Sequence, residues 1–206
     1  MHAHDHDEKE HAATAASNTP VGYYEVMETA LRELLVEKRM IAPGEIRRQI
    51  EVLDSRNPAL GAAVVAKAWV DPAFRSRLLD NGRSACEELG ISFYDDTQLI
   101  VLENTDTVHN LIVCTLCSCY PRPVLGLPPD WYKDLDYRAR VVRQSRTVLR
   151  EMGLDLPPEI EIKVWDTTAD TRYMVLPVQP PHTVGWPEEK LVELVSKESM
   201  IGVARL

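Results

Sequence analysis

Three of the four cysteines in this 206-residue chain, Cys114, Cys117 and Cys119, fall within six positions, in the run Val113-Cys114-Thr115-Leu116-Cys117-Ser118-Cys119-Tyr120. Thiols this close have four uses. Buried structural thiols are the plainest, since free cysteine is among the most buried residue types, but a proline-flanked loop suits three of them poorly. A structural zinc site needs four ligands, commonly from two CxxC pairs. Here there is one such pair, with Cys86 or His109 as candidates for a fourth ligand, and the CxC step crowds two thiolates for a tetrahedron. A thioredoxin-like CxxC needs its first cysteine to open a helix, and Pro121 and Pro123 predict that no helix begins after Cys117. The fourth use recruits the backbone. If a metal takes the sulfurs of Cys117 and Cys119 with the amide nitrogens of Ser118 and Cys119, the chelate rings are unstrained and lie near one plane. Cys114 then offers an axial sulfur and leaves one octahedral position open for catalysis or a small ligand. Deprotonated peptide nitrogens call for a strongly Lewis-acidic, trivalent ion.

Around this loop the elements follow from periodicity and punctuation. The first twenty residues are polar and hold His2, His4, His6 and His11. They read as a disordered tail, with metal capture or delivery by the first three histidines as a weaker use. Apolar spacing predicts a helix over Tyr24–Lys38 (Met27, Leu31, Leu34, Leu35), a second over Glu45–Leu53 and a third around Leu60 to Ala68. Asp71-Pro72 reads as an N-cap and first helical position, and Gly90 stops a helix over Arg83–Leu89. Two β-rich runs, Gln98–Glu103 and Val108–Val113, flank the turn-like Asn104-Thr105-Asp106 and lead into the cysteines. A long helix over Tyr137–Met152, a strand over Glu159–Trp165 with Arg172–Val178 as its expected neighbour, and a helix over Glu188–Ser196 complete the chain.

The expected fold class is therefore α+β: a His-rich tail (1–20), a helical N-terminal arm (21–90), and a sheet-containing domain with the metal loop (91–206). The amphipathic helix over 24–38 has too little core to cover within its own segment, which favours a partner subunit. Composition narrows the functions. With 45% apolar and 27% charged residues the chain is globular. No uncharged apolar run approaches the ~18–20 residues that span a bilayer. A net charge of −9 argues against nucleic acid. The first twenty residues lack the apolar core of a secretory signal, so a cytoplasmic location is expected.

The run Cys114 to Tyr120 resembles the metal-binding motif of the nitrile hydratase α subunit. The likeness continues in Glu103-Asn104-Thr105 and Val108-His109-Asn110 before the motif, and in Pro123 to Lys133 after it. Val164-Trp165-Asp166, Arg172 to Pro177 and Ser199 to Ala204 extend it towards the C-terminus, so it covers roughly Tyr24 to the end. The resemblance implies one cobalt(III) per chain rather than iron, because iron members usually carry Ser where this chain has Thr115. It implies ligation by Cys114, Cys117, Ser118 and Cys119, with Cys117 as sulfinate and Cys119 as sulfenate. It implies hydration of a nitrile to its amide, the metal activating nitrile or water and Cys119 serving as nucleophile or base. It also implies a cobalt-inserting activator protein and a heteromer with a β-type subunit, whole or split into two chains, which supplies two arginines. A charge count agrees: three sulfur anions and two amide anions make −5, and a trivalent ion leaves about −2 to be paired.

Arg122 departs from the pattern, because most nitrile hydratases carry Trp there. The related thiocyanate hydrolase γ subunit carries Arg, which suits an anionic substrate. The stretch Ile91–Thr97 also lacks the Gly-Glu-Asp common in cobalt enzymes. Arg122, with Ser118, is thus expected at the substrate pocket, favouring a polar or bulky nitrile. Thiocyanate hydrolysis, and a non-catalytic zinc, redox or metal-delivery module, are the alternatives.

Overall fold

The computed structural model describes residues 22–94, 96–117 and 119–206. The histidine tail and Ser118 therefore lie outside the described residues. The chain divides into a unit ending at Arg48 and a compact unit from Gln49 to Leu206.

In the first unit, α1 (Tyr23–Glu37) starts where the Glu25 carboxylate accepts the Gly22 amide at 2.9 Å, satisfying one of the orphan donors of a helix start. None of its residues is buried, and Leu31 is 57% exposed. Helix α2 (Glu45–Asp54) begins within this unit.

The second unit is built on α3 (Pro58–Val70), whose Ala62, Val64, Val65 and Ala68 are buried in the core. The helix is apolar nearly all round, as a central helix must be. A Cβ at Gly61 would stand 2.8 Å from Met200 Sδ and 2.9 Å from Leu125 Cδ2, so a glycine lets other elements press against α3. Asp71 caps α4 (Pro72–Asp80) by accepting from the Phe74 amide, and Asn81 caps α5 (Gly82–Glu88) through the Ser84 amide. Helices α3 to α5 lie before residue 90 yet share one core with the strands.

Strands β1 (Gln98–Glu103) and β2 (Val108–Val113) follow in sequence but do not pair with each other. After the one-turn helices α6 (Arg122–Leu125) and α7 (Asp130–Lys133) and the long α8 (Leu135–Glu151) come β3 (Glu161–Asp166) and β4 (Thr171–Leu176). Each early strand takes a late partner in parallel: β1 with β4, and β2 with β3 in a register that sets Val113 opposite Asp166. The expected pairing of 159–165 with 172–178 is thus corrected. A parallel pair needs a long crossover, and both observed pairs have one, since α6 to α8 lie between the early strands and the late ones. The expectation that Pro121 and Pro123 bar a helix after Cys117 is also corrected. Pro121 is the N-cap residue of α6 and Pro123 lies in its first turn, where a missing N–H removes no helical bond. Helices α9 (Glu188–Leu194) and α10 (Lys197–Ile201) close the chain. The observed class is α+β.

Candidate metal centre

Strand β2 runs out at Val113 and delivers Cys114, 1% exposed, directly beyond the strand end. Cys117 is exposed and Cys119 half-buried, so the three sulfurs climb from the core towards the surface. They lie within 4.8 Å of one another. Cys114 Sγ stands 3.4 Å from Cys117 Sγ, and Cys117 Sγ 3.1 Å from Cys119 Sγ. For metal–sulfur bonds of about 2.3 Å, two sulfurs at a right angle stand about 3.3 Å apart and at the tetrahedral angle about 3.8 Å. The observed spacings match right-angled, octahedral or square ligation. This donor set fits a metal.

The surrounding chain holds the loop from outside. Parallel pairing places Asp166 across from Val113, and its carboxylate accepts from the Thr115 amide at 2.9 Å and the Thr115 hydroxyl at 2.5 Å. From α8, Arg138 Nη2 donates to the Thr115 carbonyl at 3.1 Å. The Cys119 carbonyl accepts from the Tyr132 hydroxyl of α7 at 3.1 Å and from the Thr167 hydroxyl at 3.2 Å. Tyr132 is fully buried and packs edge-on against Tyr120, with ring centroids 5.0 Å apart. Burial pushes the Cys114 thiol up, but hydrogen bonding from Thr167 and from the Cys117 and Cys119 amides outweighs it and brings the group down to about 7. The single Thr167 proton serves the sulfur or the Cys119 carbonyl at any one time. Cys119 is pushed up to about 11, first by burial and then by the adjacent Cys117, with Arg172 opposing.

A cavity of about 390 Å³ opens beside the loop, lined by Cys117, Cys119, Tyr94 and the guanidinium residues Arg56, Arg122 and Arg172. Arg122 lines the same cavity as Cys117 and Cys119, while Ser118 lies outside the described residues. The candidates for a fourth zinc ligand do not join. Cys86 is buried in the core with its thiol pushed up to about 12 by desolvation. Both ring nitrogens of His109 are engaged, Nε2 with the Gly202 carbonyl at 2.7 Å and Nδ1 with Asn104 at 3.3 Å. Among the described residues, the three cysteines form the one cluster suited to a metal.

Sequence reasoning missed Asp166, Thr167, Tyr132, Arg138, Arg56 and Arg172. The neighbourhood of the motif in sequence offered Arg122 alone. The other residues arrive from strands and helices far along the chain, and only the β2–β3 register could have pointed to Asp166.

An α+β chain with a strand-end loop of three converging thiols beside an arginine-lined cavity defines a metal-competent subunit. The family described as nitrile hydratase, alpha chain, matches residues 22–204, and the chain belongs to that family. It is 54% identical over 176 residues to a nitrile hydratase subunit alpha of Rhodococcus sp (84% of this chain, 88% of the relative). It is 51% identical to a cobalt-containing nitrile hydratase subunit alpha of Pseudonocardia thermophila (84% and 86%). It is 40% identical over 195 residues to the thiocyanate hydrolase subunit gamma of Thiobacillus thioparus (89% and 80%). Among solved structures, an Fe-type nitrile hydratase variant from Comamonas testosteroni Ni1 superposes with a TM-score of 0.80 at 49% identity, covering 89% of this chain and 90% of that one. These relatives are named as subunits of enzymes. No helix among the described residues is long and apolar enough to cross a membrane.

Proposed function

We propose that this chain is the metal-binding, catalytic subunit of a cobalt nitrile hydratase, which hydrates a nitrile to the amide in the cytoplasm. The right-angled spacing of Cys117 Sγ from the sulfurs of Cys114 and Cys119, with Cys117 and Cys119 on the cavity wall, carries the reading. The sulfurs of Cys114, Cys117 and Cys119 and the amides of Ser118 and Cys119 hold one cobalt(III), and cobalt-containing relatives support that metal. When bound, the ion supplies Lewis acidity towards the nitrile or water. The rest falls to the protein. Asp166 and Arg138 fix the peptide groups of Thr115, and Tyr132 and Thr167 fix that of Cys119, so the loop does not reorganise during turnover. Cys119, as a sulfenate, acts as base or nucleophile towards the nitrile carbon. Water adds across the triple bond, oxygen to carbon and two protons to nitrogen, with no net redox change. Cys117 is held as the sulfinate.

The −2 left on the loaded centre calls for cations. This chain brings Arg56, Arg122 and Arg172 to the cavity, and a β-type subunit, whole or split, adds two more. An activator protein inserts the cobalt. The family's name for the chain, and a subunit designation in each curated relative above, support a heteromer. The exposed apolar face of α1 supports an N-terminal arm that embraces the partner. Thiocyanate hydrolysis is a second reading, favoured by Arg122 at the cavity and by the gamma-subunit relative. Cys119→Ala should abolish both metal retention and activity in the assembled enzyme, and activity in a metal-loaded variant would contradict the ligand set. Ser118→Ala, which spares the backbone nitrogen, should keep the metal.

A further inference from the structure

The cavity beside the cysteines has an unusual charge. Each charged residue among its described lining residues is an arginine: Arg56 from the α2–α3 link, Arg122 from the start of α6, and Arg172 from β4. None of the three is in an ion pair among the described residues. Arg172 places one guanidinium nitrogen on the carbonyls of Thr168, Ala169 and Thr171, which are dipoles and leave its charge unneutralised among the described residues. Arg56 sets its guanidinium carbon over the Tyr94 ring, 3.9 Å from the centroid, and its Nη2 is buried with no hydrogen-bond partner among the described residues. A guanidinium stacked on a ring is held in orientation, with its in-plane N–H groups directed at the edges. A buried donor without an acceptor costs on the order of 1–3 kcal/mol, so this one marks a place where an acceptor belongs.

The count of charges sharpens the point. In the reading above the two arginines of the β-type subunit balance the −2 of the loaded centre, so this chain's three guanidiniums remain unmatched among the described residues. A neutral nitrile leaves that charge uncompensated. A three-atom anion such as thiocyanate offsets part of it but fills little of a 390 Å³ cavity, whose size is that of sites for ligands with an organic body. Tyr94, 59% exposed, also lines the cavity.

Resting on the hydratase reading above, we propose that the substrate is a nitrile whose body bears a carboxylate, with Arg56 and Arg122 as specificity-determining residues that receive it. Arg56, pinned by Tyr94, binds the carboxylate through its in-plane N–H groups. Arg122 adds a second cation from the first turn of α6. The cyano group faces Cys117 and Cys119.

The test uses the assembled, cobalt-loaded enzyme and three probes: 4-cyanobenzoate, its neutral counterpart benzonitrile, and thiocyanate. The expected result is a kcat/KM for 4-cyanobenzoate at least about tenfold above that for benzonitrile, the advantage shrinking with added salt as screening requires. Arg56→Gln and Arg122→Gln should each lower that ratio about fivefold or more, chiefly by raising KM for the carboxylate. Arg56→Lys, which keeps the charge but loses the stacked geometry, should retain part of it. Should Arg56→Gln not fold, Arg56→Lys and Arg122→Gln still decide. Equal or better use of benzonitrile overturns the carboxylate assignment and leaves the hydratase reading intact. Turnover of thiocyanate with refusal of both nitriles overturns the assignment in favour of the small anion. No turnover of any probe overturns the hydratase reading and this inference with it.

Discussion

The Cys119 carbonyl accepts from two hydroxyls on separate elements, Tyr132 at 3.1 Å and Thr167 at 3.2 Å. Two donors on one acceptor make a measurable prediction about coupling. In Tyr132→Phe the ring still fills the fully buried site, and Thr167 still satisfies the carbonyl. The cost should be that of one net hydrogen bond, about 1 kcal/mol. Thr167→Val should cost a similar amount, with Tyr132 now holding the carbonyl. In the double variant the carbonyl has neither donor, and the orphaned acceptor adds about 1–2 kcal/mol, the lower part of the usual range because Cys119 is only half-buried. The pair should therefore be super-additive by about 1–2 kcal/mol. For a protein of this size 1 kcal/mol moves Tm by about 2–4 °C, so the effect is readable by thermal denaturation of the assembled protein. The release of bound metal to a chelator should follow the same order, wild type slowest and double variant fastest. Strict additivity of the Tm shifts, with unchanged metal release, would refute the claim that these hydroxyls jointly hold the loop.

Gly202 has φ +95°, and a Cβ there would stand 2.1 Å from the Asn110 carbonyl oxygen, so Gly202→Ala should sharply reduce soluble yield or Tm, whereas Gly153→Ala, at the same φ but in open space, should cost far less. Burial holds the His109 imidazole below its usual 6.5, against the opposing pull of its bond to the Gly202 carbonyl. The unfolded chain then binds the extra proton first. Stability should be fully present above about pH 6.5 and decline as pH falls towards the lowered folded value, and in urea titrations His109→Gln should flatten this part of the profile. A profile identical in the variant would show that another group sets the acid limb.

What could be read from sequence divides along the range of the interactions. Local signals served well. Asp71-Pro72 opens α4 and Gly90 lies just past α5, because capping and breaking are decided within a few residues. The strand runs 98–103 and 108–113 were legible as strands, while their partners were not, because each pairs with a strand about 50–70 residues further on. The three thiols were legible because their spacing alone encodes chelation. The groups that hold them were not, since Asp166, Tyr132 and Arg138 reach the loop from 51, 13 and 23 residues away. Arg122 was visible as the cation nearest the motif, but Arg56 and Arg172 meet it only after folding. The helix at Arg122 was missed for a different reason: prolines that end a helix in its interior are compatible with its first turn.

Whether Cys114, Cys117 and Cys119 hold a trivalent, catalytic metal is decided by metal analysis of the assembled protein together with mass spectrometry of the peptide spanning Cys114 to Cys119. The expected result is one cobalt per chain, resistant to chelators, with two oxygens added at Cys117 and one at Cys119. Labile zinc bound to three unmodified cysteines in a folded, catalytically silent protein would contradict it.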